Sequence, residues 1–254
     1  MQYLNDRQVL EISGSDTINF LQNLITNDLS KIQNKKIIHT FLLNNRGKIL
    51  FEFYIHDVDN RVMIDVNGES IDDLIDHLMA YKLRSKINMS IQDNYAVCWS
   101  NNQTTYSSDP RNERVGRRKV EQKKQIFETN SKNYYDDIRV LESIAELNKD
   151  FKSGDIFPHE LDSYINSISK EKGCYPGQEI VSRVYHKKVI SKKKFMRLAY
   201  TGNIKSQGTK LFQDNKEIGF LGSNAGGFCL AYVNREFESS HYEVRNDELI
   251  SVSK

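Results

Sequence analysis

The sequence predicts an α+β fold that ends in a small β-barrel, and three patterns carry that reading. Ile71, Leu74, Ile75, Leu78 and Met79 repeat at the spacing of one helix face. Two strand-like runs, Phe41 to Leu43 and Ile49 to Ile55, flank Asn44-Asn45-Arg46-Gly47, whose residues tolerate the left-handed angles of a tight turn. From Lys194 onward, short apolar runs alternate with Gly202, Gly208 and Gly226-Gly227, the punctuation expected of a small barrel.

In chain order, Val9 to Ile12 reads as a strand, and Gly14-Ser15-Asp16 opens a helix with Ile18, Leu21, Leu24 and Ile25 on one face. The hairpin follows, and Val62 to Val66 adds a strand after the Asp59-Asn60 turn. Ser70, with Asp73 three residues on, is placed to cap the helix that begins at Ile71. Ile87 to Ile91 and Tyr95 to Trp99 read as two further strands. Residues 101–124 hold a basic cluster (Arg117, Arg118, Lys119, Lys123, Lys124) with little apolar periodicity, and exposed connections are expected there. Tyr134 to Leu147 is expected to be helical through Ile138, Leu141 and Ala145. Phe195 to Tyr200, Lys210 to Phe212, Glu217 to Leu221 and Phe228 to Val233 supply the barrel strands. The expected division is 1–190, open to a further split at 100, and 191–254.

A chain of 254 residues can bury a sizeable core, and 38% hydrophobic with 28% charged residues is an ordinary soluble globular composition. With 36 basic against 34 acidic side chains, the net charge of +2 lacks the overall excess of a dedicated nucleic-acid binder, although a local patch can still hold phosphate. No run approaches ~18 apolar residues, so no membrane span is expected. Met1 to Arg7 lacks the basic start and apolar stretch of a signal peptide. Cys98, Cys174 and Cys229 are odd in number and far apart, which reads as a reducing cytoplasm. The six histidines are scattered, so no metal site within one chain is expected.

The three prolines stand in Asp109-Pro110-Arg111, Pro158-His159-Glu160 and Tyr175-Pro176-Gly177. Lys172-Gly173-Cys174-Tyr175-Pro176-Gly177-Gln178-Glu179 matches every fixed position of the motif K-G-C-Y-x-G-Q-E. Similarity continues through Phe20 to Leu24 with Thr26-Asn27-Asp28, through Leu42-Leu43-Asn44 with Gly47-Lys48, and through Tyr81-Lys82-Leu83-Arg84. On these residues the chain resembles the YgfZ family of folate-binding proteins. That family is similar in fold to the aminomethyltransferase called T-protein, and it includes relatives assigned to iron-sulfur protein maturation and bacterial tRNA modification. The family's glycine-isoleucine-proline segment is not evident at Ala145 to Lys149. The resemblance implies an N-terminal cavity for tetrahydrofolate or a derivative, the signature loop at its mouth, a barrel alongside, and iron-sulfur client proteins as partners.

Cys174 is the candidate reactive group. Gly173 and Gly177 permit a sharp turn around it, and a neighbouring Lys172 would favour the thiolate that attacks electrophiles or binds iron. The alternative is a packed cysteine in a glycine-bounded turn, the reading given to Cys98 and Cys229. For a folate, Glu160, Gln178 and Glu179 offer acceptors to the pterin, while Arg84, Arg111 and Arg183 offer donors to the glutamyl tail. Loop hydrogen bonds and local salt bridges are the competing readings, and Asn27 is either a ligand contact or a turn residue. Lys187, Lys188, Lys192, Lys193, Lys194 and Arg197 would contact tRNA or an acidic partner, or else form a solvated rim.

The functional expectation is thus a tetrahydrofolate-binding protein that supports iron-sulfur protein assembly or repair. A folate-dependent aminomethyltransferase is the alternative. It needs a carboxylate where T-proteins carry an aspartate pair, and the place here reads Phe51-Glu52, on opposite faces of a strand. Whether the chain is a catalyst therefore stays open, and a non-catalytic RNA or protein adaptor is the third reading.

Overall fold

The computed structural model describes residues 1–123, 134–187, 190–200, 208–213, 215–237, 241–244 and 250–253. Two antiparallel sheets and a closed barrel surround a polar centre. The strands, in order, are β1 (Gln2–Tyr3), β2 (Arg7–Ser13), β3 (Ile37–Leu43), β4 (Ile49–Val58), β5 (Arg61–Asn67), β6 (Asn88–Ile91), β7 (Tyr95–Ser100), β8 (Ser107–Ser108) and β9 (Arg117–Gln122). The barrel adds β10 (Lys193–Tyr200), β11 (Lys210–Gln213), β12 (Lys216–Ala225), β13 (Phe228–Asn234), β14 (His241–Val244) and β15 (Ile250–Ser253). The helices are α1 (Thr17–Gln22), α2 (Ile32–Lys35), α3 (Ile71–Lys82), α4 (Tyr134–Leu141) and α5 (Gln178–His186).

The first sheet has the order β3-β4-β5-β2-β6. Strand alternation gives it two different faces. Phe51, Phe53 and Ile55 pack with Ile38, Leu42, Ile64 and Val66 against Leu21 of α1 and Ile71, Leu74 and Leu78 of α3. Each such buried Leu, Ile or Phe is worth roughly 1.5–3 kcal/mol. The opposite positions, His39, Glu52, Tyr54, His56 and Asp65, are polar and also buried, because the second sheet, β1-β7-β9-β8, covers them. β7 and β9 pair from Tyr95↔Gln122 to Ser100↔Arg117, so this sheet straddles residue 100.

Several expectations need correction. The stretch 101–124 is not merely exposed connection: Arg117–Gln122 is a paired strand whose Arg118 and Val120 are buried, its two-residue alternation disguised by an inward arginine. Lys124 lies outside the described residues. α1 ends at Gln22 and leaves Ile18 on the surface, although Leu21, Leu24 and Ile25 do point inward. Ser70 makes no cap bond. Its hydroxyl accepts from Asn148 Nδ2 at 2.7 Å, while Asn67 caps the preceding turn through Glu69 N at 2.9 Å. α4 stops at Leu141, well short of Leu147, because Ser143 takes φ +61°.

The barrel closes in the order β10-β13-β12-β11-β14-β15. At its tightest hairpin, Gly226 and Gly227 take φ +58° and +82°, positive at both turn positions as a two-residue turn of this hand demands. Gly202 lies outside the described residues. Phe195, Leu230 and Tyr232 of the barrel share one core cluster with Phe41, Leu43 and Ile49 of the first sheet and Tyr175 and Val181 of the signature region. The barrel, the hairpin and the signature loop are therefore packed as one unit. Among the described residues, no helix is long and apolar enough to cross a membrane.

Candidate functional site

Residues 172–179 form a loop leading into α5, and three of the similar segments, the loop's own among them, meet there. The first is Gln22 to Asp28. Ser169 N donates to Thr26 O at 2.9 Å, Thr26 Oγ1 to Ser167 O at 2.8 Å, and Asn27 Nδ2 to Asn166 O at 3.0 Å. The second is the hairpin turn Asn44–Gly47. Gly177, at φ +78°, lies so close that a Cβ would stand 2.5 Å from Asn44 O and 3.0 Å from Gly47 Cα. A side chain has no room there. The third is the signature itself, whose Tyr175 is buried in the shared core cluster. Gly173 plays no such part, since a Cβ there would meet nothing within 4 Å. The expectation that both glycines shape the turn holds for Gly177 alone.

Cys174 is exposed on this loop, whereas Cys98 and Cys229 are buried. Burial pushes both buried thiols up to about 12, with Glu121 adding to the effect at Cys98. They are protonated and inert under ordinary conditions. Lys172, which the sequence set beside Cys174 as a charge favouring the thiolate, has main-chain partners of its own. It is buried, and its Nζ donates to the carbonyls of Gln22 and Ile25 at 2.5 Å and of Asn27 at 3.2 Å. Those acceptors were invisible in sequence because they are main-chain atoms almost 150 residues away.

Behind the loop, between the two sheets, lies a buried ionic cluster. Arg111 donates through Nε and Nη2 to both oxygens of Asp109 at 3.1 and 2.9 Å, through Nη1 to Glu146 at 2.8 Å, and through Nη2 to Tyr135 at 2.8 Å. Glu52 Oε1 stands 3.5 Å from Arg111 Nη1 and 2.9 Å from His39 Nε2, and Glu52 Oε2 accepts from Leu147 N at 2.8 Å. The other nitrogen of His39 meets Ser167 Oγ at 2.6 Å. A second group joins Arg7 and Arg118 to Asp65, each at 2.6 Å.

Burial alone would raise the Glu52 and Glu146 carboxyls. His39 and Arg111 for the first, and Arg111, Lys149 and Arg139 for the second, outweigh it and hold both below the ordinary carboxylate range. Burial keeps His39 below its ordinary value, with Glu52 opposing. The cluster also ties in the barrel. Arg139 Nη2 donates to Ser223 Oγ at 2.6 Å, and Asp150 Oδ1 accepts from Ser223 N at 2.7 Å. Sequence reasoning missed His39, Asp109, Tyr135 and Glu146. In sequence, the alternation of Glu52, Tyr54 and His56 with Phe51, Phe53 and Ile55 reads as a strand with one solvated face, and only the second sheet shows that this face is buried.

Among the described residues, those singled out for folate differ in their surroundings. Arg111 and Asn27 are buried and bonded within the protein, Arg111 to carboxylates and Asn27 to the carbonyls of His39 and Asn166. Glu160 accepts from Phe157 N at 2.9 Å and from Ser191 Oγ at 3.0 Å. Arg84, Glu179 and Arg183 are exposed. Gln178 alone lines a narrow cleft, walled by Tyr164, Ile168, Tyr175, Val181 and Tyr185 and edged by Lys170. The basic run near residue 190 is likewise dispersed: Lys188 lies outside the described residues, Arg197 stacks on Phe228 with 4.8 Å between its guanidinium carbon and the ring centroid, and Lys193 and Lys194 diverge by strand alternation. Among the described residues, no three His, Cys, Asp or Glu side chains gather as a metal site.

In overall structure the chain is similar to the glycine cleavage system aminomethyltransferase T from Bartonella henselae, with a TM-score of 0.75 over 99% of this chain and 83% of that one. The fold is the T-protein fold. At 12% identity the likeness carries nothing further. Residues 192–247 match the family described as CAF17, C-terminal beta-barrel domain. Over 217 residues the chain is 27% identical to the iron-sulfur cluster assembly factor IBA57 homolog, mitochondrial, of Mycosarcoma maydis, covering 74% of this chain and 54% of that relative. The human iron-sulfur cluster assembly factor IBA57, mitochondrial, is 23% identical over 285 residues, with 96% of this chain and 80% of the relative covered. The chain spans a little over half the length of the fungal relative. These relatives are named as mitochondrial proteins, which overturns the cytoplasmic expectation. Scattered, unpaired cysteines report a reducing compartment and do not say which one.

Proposed function

We propose that this protein supports the assembly or repair of iron-sulfur proteins through the Cys174 thiol, as a member of the YgfZ and IBA57 group. One observation carries the reading: of three cysteines, only Cys174 is exposed, and it stands on the loop that the Gln22–Asp28 segment and the Asn44–Gly47 turn seat. Relatives named as iron-sulfur cluster assembly factors support it. One thiolate does not hold a cluster, which takes several ligands, so Cys174 acts on a cluster whose other ligands belong to a partner or client.

Aminomethyl transfer is the weaker alternative. Phe51 is in the helix-side core, and Glu52 is already bonded to His39, Arg111 and Leu147 N. A carboxylate so engaged is not free to shuttle protons to a substrate. The arginine that faces it would also have to move.

For a folate derivative, the cleft beside α5 is lined by Tyr164, Tyr175, Tyr185, the Gln178 amide and Lys170, and at about 30 Å³ it would have to open to admit a pterin. Bound there, a reduced folate would supply a one-carbon acceptor next to the thiol loop. The proposed role of Cys174 does not run through it.

The test replaces Cys174 by alanine, with Cys98→Ala as the control, in cells that lack the native protein. Iron-sulfur enzyme activity should be lost only with Cys174→Ala, at unchanged protein abundance. Full activity in that variant would reject the thiol role. Titration with tetrahydrofolate, repeated on Gln178→Ala, tests the cleft separately.

A further inference from the structure

Lys172 is buried, although Gly173 and Cys174 beside it are exposed. Its three ammonium donors meet three carbonyls, those of Gln22, Ile25 and Asn27. These acceptors lie at and just beyond the end of α1, where main-chain carbonyls have run out of helical partners. Asp28 faces the ammonium across the same turn, Lys31 stands on its far side and donates to Asn27 Oδ1 at 3.0 Å, and the Tyr175 ring lies 5.2 Å away. Upstream the chain is fixed through Ser169, and downstream through Gly177. Between those points the exposed Cys174 stands between two buried side chains, Lys172 before it and Tyr175 after it, and a Cβ at the intervening Gly173 would meet nothing within 4 Å.

We propose that Lys172 is the positioning residue of the thiol loop: its ammonium pins the main chain two residues before Cys174 to the Gln22–Asn27 turn and so sets where the sulfur stands. The inference rests on the reading of Cys174 as the working thiol. It also gives Gln22 to Asp28 a role as the receptor for the signature, in place of ligand contact.

The experiment uses the full chain with Lys172→Met and Lys172→Ala. Amide hydrogen exchange over 170–177 is read beside that of β3 and β4, together with the rate at which a neutral disulfide reagent modifies Cys174. Losing charge-assisted hydrogen bonds should speed loop exchange about tenfold to a hundredfold, with β3 and β4 unchanged. In Lys172→Ala, added ethylammonium should restore protection, and ethanol, which lacks the charge, should not. Unchanged loop exchange in folded variants would overturn the proposal. Should the variants fail to fold, the wild-type protein decides: nitrogen NMR of Lys172 should show ammonium protons shielded from solvent, and freely exchanging protons would overturn it. A clamp that behaves as described while Cys174→Ala leaves iron-sulfur enzymes intact removes the thiol reading alone. The reverse pattern removes the clamp alone.

Discussion

Replacing Arg111 with methionine keeps much of the side chain's length and apolar bulk while deleting the charge that holds the centre together. Asp109 loses two hydrogen bonds, Glu146 one and Tyr135 one, and the contact at 3.5 Å from Glu52 is lost. The carboxylates keep some support: Glu52 retains His39 and Leu147 N, Asp109 retains Tyr54, and Glu146 retains Tyr135. Removing one partner from a buried ionic pair costs about 3–5 kcal/mol. For a chain of this size that is a fall in Tm of roughly 6–20 °C. Thermal unfolding followed by circular dichroism at pH 7 measures it.

A second axis tests the cause. Because Arg111 helps hold Glu146, Glu52 and Asp109 below the ordinary carboxylate range, its contribution is present above the unfolded value of about 4 and fades as pH falls through the folded values. The gap between wild type and variant should therefore narrow as pH drops below about 4. A fall in Tm under about 3 °C at pH 7, or a gap that widens in acid, would refute the view that the centre is held by paired charge.

Ser143→Gly should raise stability by up to about 1 kcal/mol, since φ +61° strains serine and suits glycine, with part of the gain offset by greater chain entropy when unfolded; chemical denaturation reads it. Gly177→Ala should be destabilising by more than about 1 kcal/mol, because its Cβ would meet Asn44 O at 2.5 Å, and Cys174 labelling should change with it. In the native protein one thiol equivalent should react, and mass spectrometry should place it at Cys174, with Cys98 and Cys229 labelled only after unfolding.

Where secondary structure is local, the sequence was readable. The Asn44–Gly47 hairpin, α3 and the glycine-punctuated barrel strands all stand where turn chemistry and periodicity put them. α1 and Arg117–Gln122 were misjudged because partners distant in sequence set them: the Gln22 to Asp28 segment turns to meet the signature, and an arginine points inward to meet Asp65. α4 was read too long because Ser143 takes a left-handed angle. Inward charge reads as a solvated face until its counter-charge is known.

The same division runs through the site. By itself the sequence determined the T-protein-like order of elements, the signature motif, and Cys174 as the thiol to follow, because motif and period are properties of neighbouring residues. Only the tertiary structure decided that the Lys172 ammonium meets three carbonyls, that Arg111 is held by a carboxylate of its own segment and by two from distant ones, and that Arg111 and Asn27 are buried and bonded within the protein. Burial and pairing depend on which surfaces meet, and charge in low dielectric is governed by its nearest partner, whatever the distance along the chain.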